Sequence, residues 1–167
     1  VNPDKSGTFA LNRRIPGWAR NEAVPGDLYR FLDQVNEPVS VKLNGKPQTI
    51  QLNHGYFALN RTWKKGDVIE MMLPMPVRRV VANELVNADR GRVALQRGPL
   101  VFCAEWPDNR GGHVRNLLLS DSTKLTAEFK PELLNGVTAI KGKAFGLSLD
   151  AQGKVLKQEQ DFMAIPY

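Results

Sequence analysis

Glu105 and Asp108 come closest in this chain to a paired-carboxylate site. Glycoside hydrolysis needs two carboxyl groups, one as general acid and one as nucleophile or base. Acidic residues after a strand are common, so the competing reading is a solvated turn. Cys103 sits inside Leu100-Val101-Phe102-Cys103-Ala104. A catalytic thiolate wants an electropositive, partly exposed setting. An apolar run instead suits a small core residue. His54 lies between Asn53 and Gly55, and His113 follows Gly111-Gly112. Neither has a partner at metal-ligand spacing, so both read as turn or surface residues.

Trp18, Trp63 and Trp106 are candidates for carbohydrate binding, with Tyr29 and Tyr56 beside them. A large aromatic ring offers a flat apolar face to the C–H edge of a sugar. Each tryptophan also sits at a turn, where it can plug the end of a sandwich. Asn60-Arg61-Thr62 matches the N-glycosylation acceptor pattern, which matters only in a eukaryotic secretory route. No phosphate-binding glycine loop and no G-x-S-x-G element occurs.

Strands must position these groups. Phe9, Leu11 and Arg13 alternate with Ala10, Asn12 and Arg14 up to Ile15-Pro16-Gly17. Val39, Val41 and Leu43 alternate before Asn44-Gly45, and Ile50 and Leu52 follow. Asn-Gly between two such runs predicts a β-hairpin, and Pro47 puts its return strand at an edge or starts it late. Further strands are predicted at 55–59, 68–75, 77–82, 92–96, 100–104, 114–119, 125–129, 136–142, 144–149 and 155–166. Residues 60–67 read as a turn region. The run 100–104 reads as a strand buried on both faces. Asp27 before Leu28, Phe31 and Leu32 predicts one short helical turn. Residues 20–38 otherwise read as an insertion loop, and 108–113 as a polar loop.

These elements predict an all-β fold, an antiparallel β-sandwich or jelly roll, over a single domain 1–167. No long amphipathic helix is available for α/β crossovers. The composition fits: 42% hydrophobic, 24% charged, with 14 glycines and 11 prolines to make turns. The net charge is +6, but the basic residues are scattered and form no long run. A solvated basic surface is therefore expected, with no nucleic-acid partner. No apolar run approaches a membrane span, so no membrane partner is expected. One cysteine rules out an internal disulfide and leaves the compartment open. The ends, Val1-Asn2-Pro3 and Ala164-Ile165-Pro166-Tyr167, read as cut, which points to a fragment; if its missing strands leave open sheet edges, a dimer could pair through them.

Four segments in order carry a resemblance: FALNRRIPGWA (9–19), VKLNGK (41–46), GYFALNRTWKKGDVIEMMLPMP (55–76) and GRVALQRGPLVFCAEWPDN (91–109). Together they resemble the C-terminal β-rich region of the bacterial glycoside hydrolases typified by β-L-arabinofuranosidases. The match is good over the first two-thirds of the chain and looser from residue 110. The insertion at 20–38 departs from the family. The resemblance implies a catalytic α-helical barrel elsewhere in the parent chain, holding a zinc-bound cysteine nucleophile and a glutamate acid/base. It implies sandwich material both before Val1 and after Tyr167. It also suggests a periplasmic or extracellular parent. The family's adjacent Cys-Cys is absent and Cys103 does not match it, so no catalytic, metal or cofactor residue carries over. The expected role is a non-catalytic accessory domain, with a carbohydrate-binding module as the alternative.

Overall fold

The computed structural model describes residues 1–33, 35, 37–109 and 114–167. These divide into two compact units where the sequence was read as one domain. The first holds Val1–Pro76 and Val80–Gly91, the second Val77–Arg79 and Arg92–Tyr167. Among the described residues no α-helix forms, and the strand pairs set out below are antiparallel. The fold class is the all-β sandwich type that the alternation predicts.

In the first unit, β1 (Gly7–Arg14) pairs with β5 (Tyr56–Trp63) along its whole length, Gly7 opposite Trp63 and Arg14 opposite Tyr56. The sequence placed 60–67 in a turn. Asn60–Trp63 is strand instead, because β1 supplies a partner for every one of these residues. The turn proper is Lys64–Asp67, where the Asp67 carboxylate accepts the Lys64 backbone N–H at 2.8 Å.

The Asn44-Gly45 hairpin forms as predicted. Asn44 has φ 49° and Gly45 φ 76°, the left-handed pair that this tight turn requires. It joins β3 (Ser40–Leu43) to β4 (Lys46–Pro47), an edge strand that ends at its proline. Ile50 and Leu52 lie beyond it, outside any strand. The other neighbour of β3 is β6 (Ile69–Met72), with Leu43 opposite Ile69. Ile15, Val41 and Phe57 form this unit's core, and Ala19, Val39, Ile50, Leu59, Ile69 and Leu73 pack on it.

The helical turn predicted from Asp27 does not form. Tyr29–Phe31 is a short strand, β2, paired with Val80–Ala82 of β7 (Val77–Ala82). Aromatic and β-branched residues facing each other suit a pleated pair, and this tertiary pairing outweighs a weak local helix signal. Single 3-10 turns appear instead at Gly17–Arg20, Asn87–Asp89 and Val114–Asn116.

In the second unit, β8 (Ala94–Arg97) turns through Gly98-Pro99 into β9 (Leu100–Cys103), with Arg97 opposite Leu100. β9 was read as buried on both faces. Only Phe102 is buried, while Leu100 and Val101 are exposed at 44% and 49%. A run of apolar residues cannot distinguish a covered face from an open one.

β10 (Leu117–Leu118) and β11 (Thr126–Lys130) both pair with β12 (Val137–Leu149). β12 unites the two strands predicted at 136–142 and 144–149. Residue 143 does not break it, because β13 (Val155–Pro166) pairs with it from Ile140 to Leu149. The core here is Leu95, Phe102, Ile140, Ala144, Phe162 and Ala164, with Val77, Ala104, Leu117, Leu119 and Leu125 around it.

Candidate functional site

The second unit carries a cleft of about 340 Å³. The end of β9 and the turn after it supply Cys103, Glu105, Pro107 and Asp108. The turn after β11 supplies Leu133 and Leu134, and the end of β13 supplies Ile165 to Tyr167. The sequence singled out Cys103, Glu105 and Asp108, with Cys103 read as a core residue, and did not group them in a cleft.

Asn109 holds the turn in place. It is buried, and its Nδ2–H groups donate to the Glu105 carbonyl at 2.7 Å and the Met163 carbonyl at 2.9 Å. The Met163 N–H donates back to Asn109 Oδ1 at 3.0 Å. One side-chain amide thus takes the place of a strand neighbour for β13. Sequence reasoning missed this role. Its only trace is the Trp-Pro-Asp-Asn run, where an Asx residue is expected to bond backbone.

The Cys103 thiol lies 3.8 Å from Glu105 Oε1. Burial pushes its pKa up, and the neighbouring Glu105 carboxylate adds to the shift. The thiol is therefore held protonated, the reverse of what a nucleophile needs. Glu105 and Asp108 both line the cleft and give it acceptor oxygens. The zinc–cysteine chemistry that the resemblance places in a barrel does not fit here. Among the described residues no three His, Cys, Asp or Glu side chains converge.

The tryptophans do not share one fate. Trp63 is fully buried, and its Nε1–H donates to the Phe9 carbonyl at 2.9 Å. Its ring lies 6.1 Å from that of Phe9 and 5.2 Å from the Arg61 guanidinium. Its face is therefore closed to sugar, and a platform of all three tryptophans is not available. Trp18 is half-buried in the 3-10 turn of the first unit. Trp106 is 66% exposed in the second unit, between two residues of the cleft wall.

Tyr29 donates its hydroxyl to Asp89 Oδ2 at 2.9 Å, which raises its pKa. Tyr56 is exposed at the end of β5. His54 is exposed in a left-handed turn with φ 48°, and Gly55 follows at φ 81°. His113 lies outside the described residues. Asn60 is exposed on β5 rather than in a loop, and Thr62 Oγ1 lies 2.7 Å from Thr8 Oγ1. Among the described residues no helix is long and apolar enough to cross a membrane.

Residues 77–167 match the family model of the glycoside hydrolase family 127 C-terminal domain. Residues 1–75 match that of the β-L-arabinofuranosidase GH127 middle domain. The chain belongs to glycoside hydrolase family 127. This family 127 chain is 35% identical over 142 residues to the non-reducing end β-L-arabinofuranosidase of Bifidobacterium longum subsp. longum, covering 82% of itself and 18% of that protein. It superposes on a solved GH127 β-arabinofuranosidase with a TM-score of 0.92 at 43% identity, covering 98% of itself and 26% of that chain. The GH127 β-L-arabinofuranosidase of Geobacillus stearothermophilus T6 gives a TM-score of 0.82 at 35% identity, over 99% of this chain and 25% of that one. The family 127 chain thus spans about a quarter of the length of these solved relatives.

Proposed function

We propose that this chain is the non-catalytic accessory β-region of a family 127 glycoside hydrolase of the β-L-arabinofuranosidase type. It packs against a catalytic helical barrel and stabilises it. One observation carries the reading. The middle- and C-terminal-domain models together take up nearly the whole chain. The character of the cleft supports it, since the Cys103 thiol there is held protonated rather than activated.

The test is an assay of the purified chain on an aryl β-L-arabinofuranoside. No turnover above buffer is expected. Turnover that survives repurification and disappears with Glu105→Gln would overturn the reading. In the full-length hydrolase, deleting residues 1–167 is expected to lower the melting temperature of the remaining domain. An unchanged melting temperature would remove the stabilising role.

A further inference from the structure

We infer that the Asn135-Gly136 turn is a covalent modification site of the folded chain, where the side-chain amide is lost as ammonia, while the fold seals Asn44-Gly45 against the same reaction. This inference is independent of the accessory-domain reading. The chain holds two Asn-Gly pairs, and a leucine precedes each of them. In such a pair the glycine backbone nitrogen loses its proton to solvent and bonds to the asparagine Cγ. The Cγ–Nδ2 bond breaks and ammonia leaves. Water then opens the cyclic imide to aspartate or isoaspartate. Glycine offers the most accessible attacking nitrogen, because no Cβ crowds it.

Local sequence and backbone do not separate the two sites. Asn44 and Asn135 are both exposed. Both take left-handed φ, 49° and 62°, and the glycines after them follow at 76° and 102°. The difference lies in how the side chains are held. Asn44 Nδ2 donates to Asp67 Oδ1 at 2.8 Å, and its Oδ1 accepts the Val68 N–H at 2.8 Å. This clasp fixes both polar ends of the amide, so Cγ is not free to turn onto the Gly45 nitrogen. Among the described residues no hydrogen bond holds the Asn135 side chain.

One bond does oppose the reaction at Asn135. The Gly136 N–H donates to the Leu133 carbonyl at 2.8 Å, and it must open before the nitrogen attacks. A single neutral bond in an exposed turn opens more readily than a two-bond clasp with a carboxylate acceptor. The product sets a new carboxylate next to Leu133 and Leu134, which line the cleft.

Peptide mapping by mass spectrometry, on the native 167-residue chain aged at mildly alkaline pH, tests this. Asn135 is expected to convert about ten-fold or more faster than Asn44, as a modest difference in local opening gives. In unfolding urea the two sites should convert at like rates, since both read Leu-Asn-Gly. Asp67→Ala, checked as folded by circular dichroism, should speed conversion of Asn44 and leave Asn135 unchanged. Equal rates in the native chain overturn the inference. So does a native difference that persists in urea, because local sequence then sets it. A folded Asp67→Ala chain in which Asn44 is no faster shows that the clasp is not the seal, and overturns it too.

Discussion

Asp67 shows what one side chain does in the first unit. Its Oδ1 accepts from Asn44 Nδ2 at 2.8 Å and its Oδ2 from the Lys64 backbone N–H at 2.8 Å, with the Arg61 guanidinium 3.9 Å away. The Asn44 bond is the largest cause of its lowered pKa, and the Lys64 N–H comes next. A carboxylate whose folded pKa lies below its ordinary value of 3.8 stabilises the fold above that value. This share is lost as pH falls through the folded pKa. The melting temperature of the native chain should therefore drop as pH goes from neutral to below 4, and Asp67→Asn should flatten part of that drop. Parallel curves for the two proteins would show that Asp67 contributes no such linkage. Trp63 makes a sharper case. Trp63→Phe removes the donor to the Phe9 carbonyl and leaves a void in a fully buried site. The expected cost is about 2 kcal/mol, read from the urea midpoint. A change within error would mean that the site relaxes around the smaller ring.

At the scale of elements, turn chemistry was legible and strand extent was not. Asn44-Gly45 named its own hairpin, since few other residue pairs tolerate φ of 49° and 76°. The same Asn44 reaches across to the loop before β6, where the Val68 N–H donates to its Oδ1 at 2.8 Å. Nothing local announces that contact. β12 is the opposite case. Its sequence carries two glycines, Gly142 and Gly146. They are places where neighbours approach. A Cβ on Gly142 would lie 2.8 Å from Leu125 Cδ2 and 3.1 Å from the Lys124 carbonyl oxygen. The backbone oxygen cannot move aside as a side chain can. Gly142→Ala should therefore cost roughly 1–3 kcal/mol by overpacking, whereas helix- or turn-based reasoning predicts a gain. A stabilised Gly142→Ala variant in thermal melts would refute the close approach.

For the molecule as a whole, two boundaries compete. The family models meet between residues 75 and 77. By contacts, the first unit takes back Val80–Gly91 after lending Val77–Arg79 to the second. Strand β7 crosses that line, and its Val80–Ala82 portion is the partner of Tyr29–Phe31. A fragment of residues 1–76 should therefore leave Tyr29–Phe31 unprotected in amide hydrogen exchange, and a fragment of residues 1–91 should protect it. Equal protection in both fragments would place the boundary where the family models put it. Asn83 reinforces the longer choice, since its N–H donates to the Leu28 carbonyl at 2.7 Å.

The sequence by itself determined the fold class, the Asn44-Gly45 hairpin, the Gly98-Pro99 turn and, through four ordered segments, the family. These are local or additive signals: alternation with a period of two, turn residues with special φ values, and words long enough to resemble others. Only the tertiary structure decided that Tyr29–Phe31 is a strand and that Trp63 is sealed while Trp106 stands in solvent. It also decided that Asn109 completes the edge of β13 beside the cleft. Apart from the exposure of Trp106, each depends on a partner far away along the chain, 54 residues for Asn109 and Met163 and for Trp63 and Phe9. A single sequence records what a residue prefers, and such a partner settles which preference prevails.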